Sequence, residues 1–260
     1  MVNLYDQFLL FGDSITQQAD SQIRGFGFAA ALRDDYMRRI EVVNRGLSGY
    51  NTDMALTVYD KVIPNPKDSK LRLMSMFFGA NDACFPTARN NQCVPIPRFT
   101  ANLIKMLTHP CLLAHQGVRL ILITPPPINE YLQAILDNVK GYEQTRRSAF
   151  NTMLYANAVK DVGRDLNIPV VDIWTAIMLK AGWHPGQDGP LPGSEGCPRN
   201  EVLDDMLHDG LHLSPNGYKV LYDEMNKLIE TCWPDQKADN LPYVLPAWDD
   251  WDKWKTFTKQ

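Results

Sequence analysis

The stretch Phe8-Leu9-Leu10-Phe11-Gly12-Asp13-Ser14 runs apolar side chains straight into a glycine, an aspartate and a serine. A serine hydroxyl becomes a good nucleophile when a base, usually a histidine, takes its proton, and that histidine needs a group to orient it. The chain holds five histidines, His109, His115, His184, His208 and His212. His109 precedes Pro110 and His115 ends a stretch with helical spacing, so both suit caps or surface positions. His184 lies among glycines and prolines, with nothing nearby to give it a role. In Leu207-His208-Asp209-Gly210-Leu211-His212 an aspartate stands three residues before a histidine. Asp209 could hold one imidazole nitrogen of His212 while the other faces Ser14. Plainer readings stay open on these residues alone: Gly12-Asp13-Ser14 is good turn chemistry, and Asp209-Gly210 could form a turn while His212 packs on the next helix. His208 and His212, four apart, could be a metal pair. That motif needs a helix to bring both rings to one side, and Gly210 at its centre, with Asp209 in place of glutamate, speaks against it.

Residues so far apart in sequence need a scaffold to meet. The runs 7–12, 40–46, 71–79, 118–124 and 168–174 have strand length and are mostly apolar without alternation, the pattern of strands buried on both faces. Between them, helical spacing covers about 26–39, 52–63, 98–116, 142–166 and 214–231. Ser214 can cap the last of these and Pro215 fits its first turn. Strand and helix in alternation predict a parallel sheet covered by helices on both sides. Ligands in such folds bind beyond the carboxyl ends of the strands. The residues just after the first four runs are Gly12-Asp13-Ser14, the stretch from Arg45 to Thr52, Gly79-Ala80-Asn81-Asp82, and Thr124 followed by three prolines. The prolines can shape a wall but donate nothing. Residues 183–206 read as a long surface loop, and the tail from Pro234 carries Trp248, Trp251 and Trp254 at a spacing that would give one aromatic helical face. That face could pack on its own domain, form a homodimer contact, or fold over the site as a lid.

With 260 residues, 45% of them hydrophobic and 22% charged, the chain can bury one large core, and no linker interrupts it. The net charge of -4 offers no footprint for nucleic acid. The pairs Arg38-Arg39 and Arg146-Arg147 read as solvated helix faces. The first residues lack the basic and apolar regions of a secretory signal, and no run reaches the roughly 20 apolar residues of a membrane helix. Five scattered cysteines fit free thiols in a reducing compartment, so the expected location is the cytoplasm.

Four blocks in order, from Phe11 to Leu213, resemble the SGNH hydrolases, also called the GDSL esterase/lipase family: Gly12-Asp13-Ser14, the glycine-bearing stretch after the second run, Gly79-Ala80-Asn81-Asp82, and the Asp209 to Ser214 segment. Ile15 stands where the family name has leucine, a swap of similar size. The resemblance implies a flavodoxin-like three-layer α/β/α sandwich with a central parallel sheet over residues 1–233, followed by the tail at 234–260. It implies Ser14 as nucleophile, His212 and Asp209 as its partners, and an oxyanion hole made by the Ser14 and Gly49 backbone N–H groups and the Asn81 side chain. The nearest resemblance is to the isoamyl acetate-hydrolysing esterase group, which implies acetate esters of small alcohols as substrates and no cofactor. A carbohydrate or lysophospholipid deacylase with the same residues is the neighbouring alternative, and a non-catalytic binding module of the same fold a remote one. Phe11, Phe78 and Phe85 could line the substrate pocket or pack in the core.

Overall fold

The computed structural model describes residues 3–88 and 90–257. Five strands, β1 (Gln7–Gly12), β2 (Glu41–Gly46), β3 (Leu71–Phe77), β4 (Arg119–Ile123) and β5 (Val170–Val171), form one sheet in the order β2-β1-β3-β4-β5, with every pair parallel. That order is the flavodoxin-like one, and the chain folds as the expected α/β/α sandwich. Side chains on a strand alternate between faces, which is why the uninterrupted apolar run of β1 serves two cores. Phe8 and Leu10 join the cluster beneath α2 (Phe28–Asp35), α8 (Ile173–Lys180) and α10 (Pro215–Cys232). Leu9 and Phe11 join the one beneath α3 (Thr52–Val62), α4 (Ile96–Leu107) and α7 (Ala149–Asp165). Burying side chains of this kind contributes roughly 1.5–3 kcal/mol each, so Ser14 follows a strand that is firmly anchored in both cores. Phe11 and Phe78 stack edge-on within the second core, with ring centroids 4.9 Å apart. They are core residues.

Several boundaries differ from the sequence reading. The helix expected at 98–116 divides at Pro110, which opens the short α5 (Pro110–Leu113) under a His109 cap. The helix expected from 142 begins only at Ala149, capped by Ser148, and α6 (Glu130–Val139) occupies a stretch given no element. The run 168–174 is a two-residue strand that gives way to α8, because Asp172 accepts a hydrogen bond from the Thr175 N–H and caps a helix there. The last six residues of the long loop form α9 (Glu201–Met206), capped by Asn200. Ser214 caps α10 as expected, with Pro215 in its first turn. Among the described residues no helix is long and apolar enough to cross a membrane.

The tail leaves α10 through two 3-10 turns at Pro234–Gln236 and Ala238–Asn240. It runs past the amino ends of the strands. The buried Gln236 accepts from Tyr36 through its carbonyl (2.9 Å) and from Arg72 through its side chain (2.8 Å). Arg38 and Arg39, expected on a solvated face, lie over the Tyr243 ring and donate to tail carbonyls. The final helix, α11 (Trp251–Phe257), starts after Trp248, so the three tryptophans do not share one helix. Trp248 is 81% exposed and Trp251 68%.

Candidate active site

Ser14 opens α1 (Ser14–Gln18) two residues after β1 ends, and the intervening Asp13 caps that helix by accepting from the Ile15 N–H at 2.9 Å. As the first helical residue, Ser14 has a backbone N–H without an intrahelical acceptor. The short helix is clamped from two sides. Against β2 the approach is so close that a Cβ on Gly46 would lie 2.0 Å from the Gln17 nitrogen, and Asn44 Nδ2 donates to the Thr16 carbonyl at 2.7 Å. From α10, the Tyr218 hydroxyl donates to the Ile15 carbonyl at 2.6 Å.

The loop between α9 and α10 is pinned by an antiparallel bridge between Leu207 and Leu213. Within it, Asp209 Oδ1 accepts from the backbone N–H groups of Leu211 (3.1 Å) and His212 (2.8 Å). Its other oxygen, Oδ2, lies 2.7 Å from His212 Nδ1. One carboxylate therefore shapes the turn and holds the ring, so the two readings open from the sequence coexist. His212 Nε2 sits 2.9 Å from Ser14 Oγ. Burial opposes charge on Asp209, but the bonds from the His212 ring and backbone outweigh it and hold this carboxyl well below the usual carboxylate range. An ionised carboxylate only accepts, so Nδ1 carries the ring proton and the Nε2 lone pair faces the serine hydroxyl.

His208 stacks on His212 with centroids 5.7 Å apart, and burial holds it below the usual histidine range. His208, Asp209 and His212 offer three ligand atoms within 4.8 Å of one another. The Asp209–His212 contact uses two of them, so a cation there would displace the bond that orients the imidazole.

Across the carboxyl edge, Gly49 follows β2 with φ +82, a conformation that favours glycine, and its N–H has no hydrogen-bond partner among the described residues. Asn81 follows β3 and is buried, with Nδ2 donating to the Tyr50 carbonyl at 2.9 Å. A residue missed from the sequence ties the two together: Gln92 Nε2 donates to the Gly49 carbonyl (2.9 Å) and to Asn81 Oδ1 (3.1 Å). Gln92 sits in an irregular stretch with no pattern to mark it. Arg147 also donates to Asn81 Oδ1, at 3.0 Å. The expectation that Arg146 and Arg147 form a solvated face is overturned, since both are buried: Arg146 pairs with Asp137 at 2.6 Å and Arg147 reaches Asn81. Two further carboxyls are enclosed beside the site. Burial pushes Asp13 up to about 6 and Asp82 up to about 7.

A hydroxyl, an imidazole and a carboxylate in line at the carboxyl edge of an all-parallel flavodoxin-like sheet define a class, the SGNH-type hydrolases. Residues 10–220 match the model of the GDSL-like Lipase/Acylhydrolase family. The chain belongs to that family and is a carboxylic ester hydrolase. It is 34% identical over 95% of its length to a mouse (Mus musculus) protein named isoamyl acetate-hydrolyzing esterase 1 homolog, covering 88% of that protein. It is 29% identical to the isoamyl acetate-hydrolyzing esterase of Saccharomyces cerevisiae, with 95% of each chain covered. Among solved structures, a lipase/acylhydrolase from Enterococcus faecalis superposes with a TM-score of 0.60 at 23% identity, covering 93% of this chain and all of that one, and shares the fold.

Proposed function

We propose that the protein is a serine esterase that hydrolyses short-chain carboxylic esters, acetates above all, of small alcohols. The observation that carries this reading is the unbroken chain from Asp209 Oδ2 through the His212 ring to Ser14 Oγ, with links of 2.7 and 2.9 Å. The preference for acetates rests on the names of the relatives at 29–34% identity. Ser14 Oγ attacks the ester carbonyl carbon while its proton passes to His212 Nε2. The carbonyl oxygen becomes an oxyanion, met by the backbone N–H groups of Ser14 and Gly49 and an Asn81 Nδ2–H. The tetrahedral intermediate collapses, and His212 gives its proton to the departing alcohol. Water, deprotonated by the same ring, then attacks the acyl-serine, and the acid leaves as the proton returns to Ser14. The cytoplasm suits a chain whose five cysteines are all free thiols, Cys84 and Cys93 included.

The test is hydrolysis of p-nitrophenyl acetate, butyrate and octanoate, and of isoamyl acetate, by the parent and by Ser14→Ala, with and without a chelator. Expected are activity highest on acetate, no effect of the chelator, and loss of at least about 10³-fold in kcat in Ser14→Ala. Full activity in Ser14→Ala, or loss of the parent's activity on chelation, overturns the mechanism. A preference for octanoate overturns the substrate class alone.

A further inference from the structure

Arg147 is 1% exposed, and no carboxylate lies within ion-pair distance of it among the described residues. Burying a cation costs free energy that an acidic partner normally offsets, and Arg146, its neighbour, has one in Asp137. Arg147 instead spends its fork on two neutral oxygens, with Nε donating to the Ala80 carbonyl at 2.7 Å and Nη2 to Asn81 Oδ1 at 3.0 Å. Its Nη1 is buried with no partner. The segment carrying it is fixed on both sides: before it the Phe85 N–H donates to the Arg146 carbonyl at 2.8 Å, and after it, in the first turn of α7, Asn151 Nδ2 donates to the Ala83 carbonyl at 2.6 Å.

This has a chemical consequence at Asn81. A guanidinium only donates, so the amide atom facing it must be the oxygen; a backbone carbonyl only accepts, so the atom facing Tyr50 must be the nitrogen. Arg147 on one side and Tyr50 on the other forbid the flipped amide, which would turn an oxygen toward a developing oxyanion. Gln92 adds a second donor to the same Oδ1. Donors on an amide oxygen also polarise its N–H groups, because linked hydrogen bonds strengthen one another in a low-dielectric interior.

We infer that Arg147 is a positioning residue for the oxyanion hole: it locks the Asn81 amide with its N–H toward the substrate, and its charge, without a carboxylate at ion-pair distance, favours negative charge as it forms on the carbonyl oxygen. The inference rests on the assignment of Asn81 as an oxyanion donor made above. Its effect therefore belongs to the transition state rather than to substrate binding.

A double-mutant cycle tests it, with kcat and KM for p-nitrophenyl acetate measured on the parent, Asn81→Ala, Arg147→Met and the pair. Removal of one oxyanion donor costs about 10²- to 10³-fold, so Asn81→Ala and Arg147→Met are each expected to lose about 10²-fold in kcat with KM held within about threefold. In the Asn81→Ala background, Arg147→Met is expected to cost less than about threefold more, because its action passes through the missing amide. A single Arg147→Met that keeps kcat within about threefold overturns the inference, as does a full second loss in the pair. If Arg147→Met does not fold, Arg147→Lys decides: a loss of about 10-fold in kcat at constant KM supports the role of the fork, and an unchanged kcat overturns it. An Asn81→Ala enzyme with parental kcat would instead sink the oxyanion assignment itself, whatever Arg147 does.

Discussion

Asp13 and Asp82 follow the tips of the two central strands, and neither has a cationic partner within ion-pair distance among the described residues. Asp82 Oδ1 accepts from the Thr52 N–H and hydroxyl, while its Oδ2 is buried with no partner. With folded values near 6 for Asp13 and 7 for Asp82, both above the ordinary carboxyl value, folding favours their protonated forms. The stability they confer is complete below about pH 4 and is lost as pH rises through about 6 to 7, at up to about 1.4 kcal/mol per pH unit for each group while it titrates. Asp209 acts in the opposite sense: its depressed value makes its contribution present above the ordinary carboxyl range and lost only in strong acid. Asp82→Asn removes one of these two buried carboxyls. Its thermal midpoint should decline less steeply than the parent's between about pH 4 and 7, and parallel curves would show that Asp82 does not titrate there. Residues of this kind explain which part of the site was legible. Ser14, Asp209 and His212 were legible because the chain has only five histidines, one of them three residues after an aspartate, and because the blocks around all three resemble a family. Arg147 was not, because a pair of arginines looks solvent-facing until tertiary packing encloses it.

Among the elements, the strands were legible because their apolar runs lack alternation, and the missed pieces lay where one apolar run served two purposes. Residues 168–174 read as a single strand, yet Asp172 turns the second half into α8. The sequence reading assigned no element to α6 or α1, and α1, with only five residues, is too short for helical periodicity to show. Its contact with β2 makes a specific demand. A Cβ at Gly46 would lie 2.0 Å from the Gln17 nitrogen and 2.4 Å from its Cα, and backbone atoms cannot swing aside as a flexible side chain could. Gly46→Ala therefore has to shift α1, and Ser14 moves with it relative to His212. Misplacement of a reacting group by about 1 Å can cost about 10²-fold in rate. Gly46→Ala should lose roughly that in kcat on p-nitrophenyl acetate while far-UV circular dichroism stays that of the parent. An unchanged kcat would mean that α1 is not held in place by β2.

In the molecule as a whole, the proposed site and the anchoring of the tail lie at opposite ends of the strands. Ser14, Gly49, Asn81 and His212 gather at the carboxyl ends, whereas the tail binds Arg72 and Arg119 at the starts of β3 and β4. Two truncations follow from that layout. Ending the chain at Pro246 removes α11 and the exposed Trp248 and Trp251, so the thermal midpoint and kcat/KM should both remain close to those of the full chain. Ending it at Trp233 also removes Gln236 and the buried Leu241, leaving the buried Tyr36 hydroxyl without its acceptor and uncovering the apolar surface under Leu241, while Arg72 loses the Gln236 side chain but keeps Asp6. Each buried polar group left unpaired costs roughly 1–3 kcal/mol. For a domain of this size, each kcal/mol lowers the midpoint by about 2–4 °C. The shorter chain should therefore melt about 5–15 °C earlier, with kcat/KM per folded molecule little changed because the lost contacts lie at the far end of the sheet. A drop in kcat/KM on removal of residues 247–260 alone would place the tryptophan segment over the substrate entrance. A halving of the mass measured by light scattering, with activity intact, would make the same tryptophans the contact between two copies of the chain.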